Sequence, residues 1–149
     1  MTGSTEYSIV WTTKTTKKYE RTLKKLAKLY KGKSDRQVFK QFVSEQLQDR
    51  LCFDPYLPQS RSEPLPSNVI LPEGLEFRKM TFKMQPRRGG ASGEGRLMYL
   101  VDSQQYRIIL FWIYNHDQFS CDQDKQDSRP SDKDLIPEIR DTIDSLDES

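Results

Sequence analysis

Apolar and polar residues follow strand-like patterns in three segments of the second half of the chain. Leu75–Met84 alternates, Gly95–Val101 is short and rich in apolar residues, and Arg107–Tyr114 is the most apolar run of the sequence. Successive side chains of a strand point to opposite faces, so these segments predict three strands, the last of them buried on both faces. Short turns separate the segments, which predicts an antiparallel meander.

The first half of the chain changes from a period of two to a period close to that of an α-helix. Tyr7–Thr12 alternates and predicts a strand, and Thr12 or Thr13 is placed to cap the next element. A first helix is predicted over Lys14–Lys31, ending at Gly32. Its apolar positions recur at spacings of four, three and four residues, at Tyr19, Leu23, Leu26 and Tyr30.

A second helix is predicted to begin with a capping box at Ser34 and Gln37 and to run to about Leu51. Its apolar face consists of Val38, Phe39, Phe42, Val43 and Leu47. The two helices form a hairpin that must cover one face of the sheet. The predicted fold is therefore α+β with two layers, in which an N-terminal strand and an α-helical hairpin pack on an antiparallel β-sheet.

Two segments fall outside this pattern. Residues 53–74 contain five prolines and predict a long loop without a regular helix or an inner strand. Residues 122–149 form an acidic tail that ends in a short amphipathic helix. The predicted organisation is one domain over residues 1–121, followed by this tail.

Charge is distributed unevenly along the chain. The tail holds ten acidic and four basic residues, a net charge of −6, so residues 1–121 carry +8 of the total of +2. A basic body indicates an anionic partner. The two cysteines, Cys52 and Cys121, have no nearby metal-ligating partner and predict reduced thiols. No apolar run reaches the length of a membrane span or forms a signal region, so we expect a cytoplasmic protein without a membrane partner.

The strongest candidate site is a basic cluster in the predicted meander. Glu94 is its only acidic neighbour between residues 78 and 96, and Lys79 and Lys83 share one side of their strand. Lysine and arginine on a sheet are suited to binding phosphate. The alternative is a solvated sheet face that opposes aggregation. The cluster consists of Arg78, Lys79, Lys83, Arg87, Arg88 and Arg96.

A second candidate site follows the most apolar strand. His116 is the single histidine and a candidate general acid or base, since its pKa lies near neutrality. Tyr114 is suited to stacking on an unpaired base, or it is simply a core residue. The lysine-rich first helix is interpreted mainly as a solvated face that adds long-range attraction to RNA.

Motifs for metal or nucleotide chemistry are absent from the sequence. It contains no P-loop, no HExxH, no GxSxG and no carboxylates with metal-ligand spacing. We therefore expect no cofactor and no metal.

Three blocks of the sequence together resemble a known family. They are Leu71–Met84, Arg87–Asp102 and Arg107–Phe119, in which a basic strand, a glycine-rich turn and Arg96-Leu97-Met98-Tyr99 precede a final apolar strand ending in tyrosine. This order is similar to that of the RelE/ParE superfamily of bacterial toxins, within it to the HigB-like and YoeB-like branches. The resemblance covers about residues 7–120.

The resemblance implies a RelE-like fold and a toxin of a type II toxin–antitoxin system. Such a toxin cuts mRNA on the ribosome without a metal, by attack of the ribose 2′-hydroxyl on the adjacent phosphate, and is held by a cognate antitoxin. In this chain Arg96 would stabilise the phosphorane-like transition state, and Lys79 and Lys83 would hold phosphates. His116 would act as acid or base, and Tyr114 would orient or stack the base.

Two other functions compete with an endoribonuclease. One is a non-catalytic, toxin-like binding protein, including a gyrase inhibitor of the ParE type. The other is a scaffold that binds a protein through its sheet edge and tail helix. Substitution of Arg96 and His116 distinguishes these functions, because only the endoribonuclease requires both side chains for activity.

Overall fold

The computed structural model describes residues 6–87, 93–119 and 129–146 of the 149-residue chain, except for the side chains of residues 116 and 117. Its elements in chain order are β1 (Ser8–Ile9), α1 (Thr13–Ala27), α2 (Lys33–Gln41), a π-helical segment (Phe42–Leu47), α3 (Gln48–Phe53), β2 (Ser60–Ser62), β3 (Leu75–Lys83), β4 (Glu94–Asp102), β5 (Arg107–Asn115), a 3₁₀ turn (His116–Phe119) and α4 (Asp132–Leu146). No helix within the described ranges has the length and apolar character needed to cross a membrane.

The strands form one sheet in the order β1-β5-β4-β3-β2. The α+β class and the predicted antiparallel meander of β3, β4 and β5 are confirmed. β1, however, pairs with β5 in parallel through Ser8 and Ile9, so the sheet is mixed and the prediction of an antiparallel sheet was wrong at this edge. The alternation of apolar and polar residues shows which face a side chain points to, but it carries no information about strand direction. The direction of β1 relative to β5 depends instead on the path of the chain through the helices that follow β1.

The proline-rich stretch packs against the sheet through a short strand and through side-chain contacts. Its residues Ser60–Ser62 form β2, an edge strand antiparallel to β3. The Tyr99 hydroxyl of β4 donates a hydrogen bond of 2.8 Å to the carbonyl oxygen of Pro55. No inner strand occurs in this stretch, in agreement with the prediction from its prolines.

Thr12 caps α1, as predicted. The backbone N–H of Thr15 donates to the Thr12 hydroxyl, and the backbone N–H of Thr12 donates to the Thr15 hydroxyl, at 3.2 and 2.9 Å. This reciprocal pair satisfies two N–H groups that the helix itself leaves unbonded. The helix ends at Ala27, four residues earlier than predicted, and Gly32 occupies the N-cap position of α2. The predicted capping box at Ser34 was therefore wrong.

The second helix is interrupted by a π-helical segment because of the spacing of its apolar residues. Phe39, Val43, Leu47 and Leu51 are all fully buried and repeat every four residues. An α-helix has 3.6 residues per turn, so such a stripe drifts by roughly one residue over three turns. The π-helical segment over Phe42–Leu47 takes up that extra residue and keeps the stripe on the sheet.

Helices pack on both faces of the sheet. The face covered by α1, α2 and α3, here called the hairpin face, includes Leu97 and Leu110. The opposite face, here called the α4 face, includes Met98 and Phe111 together with Leu135 and Ile139 of α4. Since each of these side chains is at most 1% exposed, both faces of the meander are core.

Candidate nucleic-acid interface

The sheet brings Arg96 and Tyr114 side by side. Arg96 of β4 lies directly opposite Tyr114 of β5, with Thr81 of β3 on its other flank. Opposite residues of paired strands project to the same face, so the three side chains form a row on the α4 face. Two of the predicted catalytic residues are therefore neighbours in the fold.

A β-bulge in β5 decides the face to which Tyr114 points. The strand register shifts between Met98 and Tyr99, which leaves Phe111 as an extra residue in β5. Unbroken alternation would put Tyr114 on the hairpin face, whereas the bulge places Ile113 there and turns Tyr114 to the α4 face. The sequence shows a continuous apolar run at this point and carries no signal of the bulge.

Arg96 is largely buried and only partly paired. Its side chain is 12% exposed, and its Nη2 lies 3.8 Å from a carboxylate oxygen of Glu94. Its Nε and Nη1 are buried and have no hydrogen-bond partner in the described part of the chain. A guanidinium is always charged, so buried donors without acceptors cost free energy and are suited to receiving an anion.

Lys79 belongs to a buried network of charges. Its Nζ lies 3.4 Å from Glu63 of the proline-rich stretch, and the two side chains are only 6% and 5% exposed. Glu63 also accepts a hydrogen bond of 2.9 Å from Arg129, which pairs with Asp132 at the start of α4. Lys79 is thus paired with an acid and largely buried, and its phosphate-binding role stays a prediction.

Arg78 projects to the hairpin face, as the alternation predicts. Its guanidinium donates to the hydroxyl and carbonyl oxygens of Ser60 at 2.9 and 3.1 Å and to Glu76 at 2.9 Å. It also lies 5.0 Å from the centre of the Tyr56 ring, a cation–π distance. Arg78 thus joins β2 to β3 and lies on the opposite side of the sheet from Arg96.

The other predicted nucleic-acid-binding residues are dispersed. Lys83 and Arg87 are exposed, and Lys83 lies opposite Glu94 in the strand register. Arg88 and the side chain of His116 lie outside the described residues. The meander therefore places Arg96 beside Tyr114, and Lys83 is a diagonal neighbour of Arg96 across the β3–β4 register.

A large groove of the described structure lies elsewhere. It has a volume of about 1320 Å³ and runs between α2, α3 and the open edge of β2 and β3. Lys83, Arg50 and Arg61 line it together with Glu45 and Glu94. This mixed lining gives no concentration of positive charge, and the groove includes neither Arg96 nor Tyr114.

A different surface concentrates exposed cations without acidic partners. Five residues of α1 and its C-cap recur at spacings of three and four residues, so they form one line along the helix. All five are exposed, and none takes part in an ion pair with another described residue. We call this line the α1 basic face; it consists of Lys14, Lys17, Arg21, Lys24 and Lys28.

The acidic tail reaches α1 beside this face. Lys18 pairs with Glu138 at 3.3 Å and with Asp141, both on α4. Partial burial lowers the pKa of Lys18, but the hydrogen bond that Lys18 donates to Asp141 and the charge of Glu138 outweigh that effect and raise the pKa above its ordinary value. The sequence predicted mainly a solvated face for α1, although the three-and-four spacing of its exposed cations is visible in the sequence.

The chain matches no known protein-family model, no curated protein and no solved structure.

Proposed function

We propose that the protein binds single-stranded RNA through the α1 basic face. The observation that carries this proposal is the line of five exposed cations from Lys14 to Lys28, none with an acidic partner among the described residues. With a rise of about 1.5 Å per residue the line extends roughly 21 Å, long enough to follow several phosphates. When cations without internal partners bind the phosphates of a nucleic acid, the nucleic acid releases its condensed counterions, which drives association.

A further observation favours a nucleic acid over a membrane surface as the partner of this face. The apolar side of α1 is already used, because Tyr19 and Leu26 are buried against the sheet at 2% and 0% exposure. A helix that lies in a membrane interface needs a free apolar face. The preference for RNA rests on the resemblance to the RelE/ParE superfamily.

The α1 basic face is tested by replacing Lys14, Lys17, Lys24 and Lys28 together with glutamine. Glutamine has nearly the same helix propensity as lysine, so α1 remains folded. We expect the affinity for a single-stranded oligoribonucleotide to fall by about 100-fold at low salt. The slope of log K against log salt concentration should become shallower by about 3, since each lost phosphate contact removes about 0.7. Fluorescence anisotropy measures both quantities.

The matched control neutralises four exposed cations on other surfaces, Lys33, Lys40, Arg50 and Lys133. It changes the net charge equally and should lower affinity only slightly. Equal losses in the two variants would show that net charge alone attracts RNA and would contradict a specific role for α1.

A second candidate function is the metal-independent endoribonuclease that the resemblance implies. The observation that favours it is Arg96 beside Tyr114, with two buried guanidinium nitrogens that lack partners within the described residues. In this reaction the 2′-oxygen loses its proton to a base and bonds to phosphorus, while the bond to the 5′-oxygen breaks and that oxygen gains a proton. Arg96 would stabilise the negative charge of the intermediate, and His116 would transfer a proton.

The non-catalytic alternative is favoured by the burial of the same surface. Tyr114 is 1% exposed, and Leu135 and Ile139 of α4 belong to the core cluster that contains it. RNA would reach Tyr114 only after the residues packed on it, which include Phe119 at a ring distance of 5.2 Å, move away. We propose three partners only together with the endoribonuclease function. They are mRNA, the ribosome and a cognate antitoxin that inhibits the protein.

Expression in a bacterial host separates these two functions. An endoribonuclease should arrest growth and produce cuts in translated mRNA that primer extension detects, and Arg96→Gln or His116→Ala should abolish the cuts. Both variants should bind RNA as the parent does, because neither residue lies on the α1 basic face. Growth arrest that persists in both variants without cuts in mRNA would favour a non-catalytic, gyrase-directed action.

A further inference from the structure

A small pocket lies beside the α1 basic face, where α1 passes the end of β5. Its volume is about 190 Å³, which is below the range of pockets that hold drug-sized ligands and is suited to a single planar ring system. The lining comes from α1, β5, the 3₁₀ turn and α4. It consists of Lys18, Arg21, Thr22, Lys25, Trp112, Ile113, Gln118, Phe119 and Glu138.

The two sides of the pocket differ in chemistry. On the α1 side Arg21 and Lys25 are exposed and take part in no ion pair with a described residue. On the β5 side Trp112 and Phe119 are half-buried and meet edge to face, with ring centres 6.0 Å apart. The combination of exposed cations and aromatic rings matches the two parts of a nucleotide, its phosphate and its base.

The β-bulge in β5 explains why Trp112 is available at this position. Because Phe111 is the extra residue, Trp112 packs at the margin of the cluster on the α4 face, and Ile113 takes the buried place on the hairpin face. Bulges commonly re-aim a side chain next to a functional site. A regular strand with the same sequence would have buried Trp112 under α1.

Hydrogen bonds hold the walls of the pocket in place. The Thr22 hydroxyl donates to the carbonyl oxygen of Tyr19 at 2.8 Å and accepts the Ile113 backbone N–H at 3.2 Å, which joins α1 to β5. The Gln118 side-chain oxygen accepts the Asn115 backbone N–H at 3.0 Å and fixes the 3₁₀ turn. The pocket is therefore formed before any ligand binds, which reduces the entropic cost of binding.

We propose that this pocket binds one unpaired base of a single-stranded RNA, stacked on Trp112, while Arg21 and Lys25 contact the adjoining phosphates. The inference rests on the proposed RNA binding by the α1 basic face and adds selectivity for unpaired bases to it. Polyanions without bases should bind α1 and leave the pocket empty. Double-stranded RNA should do the same, because its bases are stacked and paired.

The test uses the fluorescence of Trp112 in the full-length chain. The two tryptophans are Trp11 and Trp112, so Trp11→Phe leaves Trp112 as the single indole. In this background we titrate a single-stranded oligoribonucleotide and, separately, polyphosphate of matched charge. We expect RNA to quench the fluorescence of Trp112 and polyphosphate to bind without quenching. Anisotropy of a labelled oligonucleotide, displaced by each competitor, reports binding itself.

A second variant measures the contribution of stacking. Trp112→Leu should weaken single-stranded RNA binding by about tenfold and leave polyphosphate binding unchanged. Its matched control is Trp11→Leu, which removes an indole that is 41% exposed on the N-terminal side of α1 and should not change either affinity. Circular dichroism verifies that both variants fold.

The outcomes separate the pocket from the proposed function. RNA binding through α1 without quenching of Trp112 would overturn the pocket proposal and keep the proposed function. Equal quenching by RNA and polyphosphate would also overturn it, since a base would not be required. If neither RNA nor polyphosphate binds, the proposed function itself fails.

Discussion

The protein contains two basic regions of similar composition that have opposite structural roles. In β3, Lys79 and Arg78 are paired with Glu63 and Glu76 and are largely buried. On α1, the basic face from Lys14 to Lys28 is exposed and forms no ion pair with the described residues. The difference arises from the surroundings, because β3 lies inside a sheet covered on both faces and α1 has one side in solvent.

This comparison shows that a count of cations does not identify an anion-binding surface. A cation buried beside an acid has its charge compensated and stabilises one conformation. A cation in solvent without an acid contributes little to folding and remains available for phosphate. The same residue types therefore predict large effects on stability in β3 and large effects on RNA binding in α1.

The largest expected effect on stability comes from Glu63→Gln. The change removes the acid that pairs with both Lys79 and Arg129, whose side chains are 6% and 20% exposed, and Arg129 then keeps its pair with Asp132. We expect the free energy of unfolding to fall by about 3 kcal/mol, measured by urea denaturation. Glu20→Gln, at an exposed acid of α1, is the control and should change it by less than about 0.5 kcal/mol.

The double variant Glu63→Gln with Lys79→Met sharpens this result. It also removes the lysine that has lost this acid and should recover part of the lost stability, because weakening the compensation of a buried charge raises the free energy of the folded state. If Glu63→Gln alone costs less than the Glu20→Gln control, the buried network does not stabilise the fold.

A smaller loss of stability is expected when Asp102 is replaced. Asp102 is a carboxylate at the turn between β4 and β5 and is only 4% exposed. It accepts hydrogen bonds from Arg107 at 3.0 and 2.8 Å and from the backbone N–H groups of Gln104 and Gln105. Burial opposes ionisation, but these hydrogen bonds, first that of Arg107, lower the pKa of Asp102 below its ordinary value. At neutral pH Asp102→Asn should cost about 1 to 3 kcal/mol.

The pH dependence of this loss follows from the direction of the pKa shift. A carboxyl with a lowered pKa stabilises the fold fully above its unfolded-state pKa of about 4, and the stabilisation disappears as the pH falls through the lower folded-state value. Urea denaturation between pH 7 and pH 3 should therefore show the parent and Asp102→Asn converging at acid pH. A constant difference would mean that the carboxylate charge contributes nothing. Asp144→Asn, at an exposed residue of α4, is the control.

The smallest effect on the free energy of unfolding is expected for a substitution of Lys18. This residue is intermediate between the buried, paired cations of β3 and the exposed cations of the α1 basic face. It is a cation of α1 that pairs with Glu138 and Asp141 of α4 while its side chain remains 23% exposed. Lys18→Gln should lower the free energy of unfolding by no more than about 1 kcal/mol, because solvent screens the pair. It should also increase amide hydrogen exchange in α4, which measures local opening of that helix.

Lys24→Gln is the matched control for Lys18, since it changes an exposed lysine of the same helix that has no ion pair with a described residue. It should leave both the stability and the exchange of α4 unchanged. If the two variants behave alike, the contact between α1 and α4 depends on apolar packing rather than on the ion pairs.

Much of the fold followed from local sequence patterns. The alternation in Leu75–Lys83 and the apolar run of Arg107–Tyr114 identified two strands almost to the residue, and Thr12 identified the start of α1. These features depend on neighbours within a few positions, which a single sequence displays. The sequence identified both Arg96 and Tyr114 as candidate site residues. It did not show that the two are neighbours in the sheet or that both are largely buried.

By itself, the sequence determined the main helices, the three strands of the meander and the line of cations on α1, because each depends on a spacing of two to four residues; it did not show the edge strand β2. The tertiary structure alone decided the parallel pairing of β1, the bulge that re-aims Trp112 and Tyr114, and the burial of Lys79. The acid that pairs with Lys79 lies in the proline-rich stretch, and the next cation of that network, Arg129, follows the whole meander. Burial and charge compensation depend on residues distant in the chain, so only the folded chain determines which of two basic regions remains open to an anion.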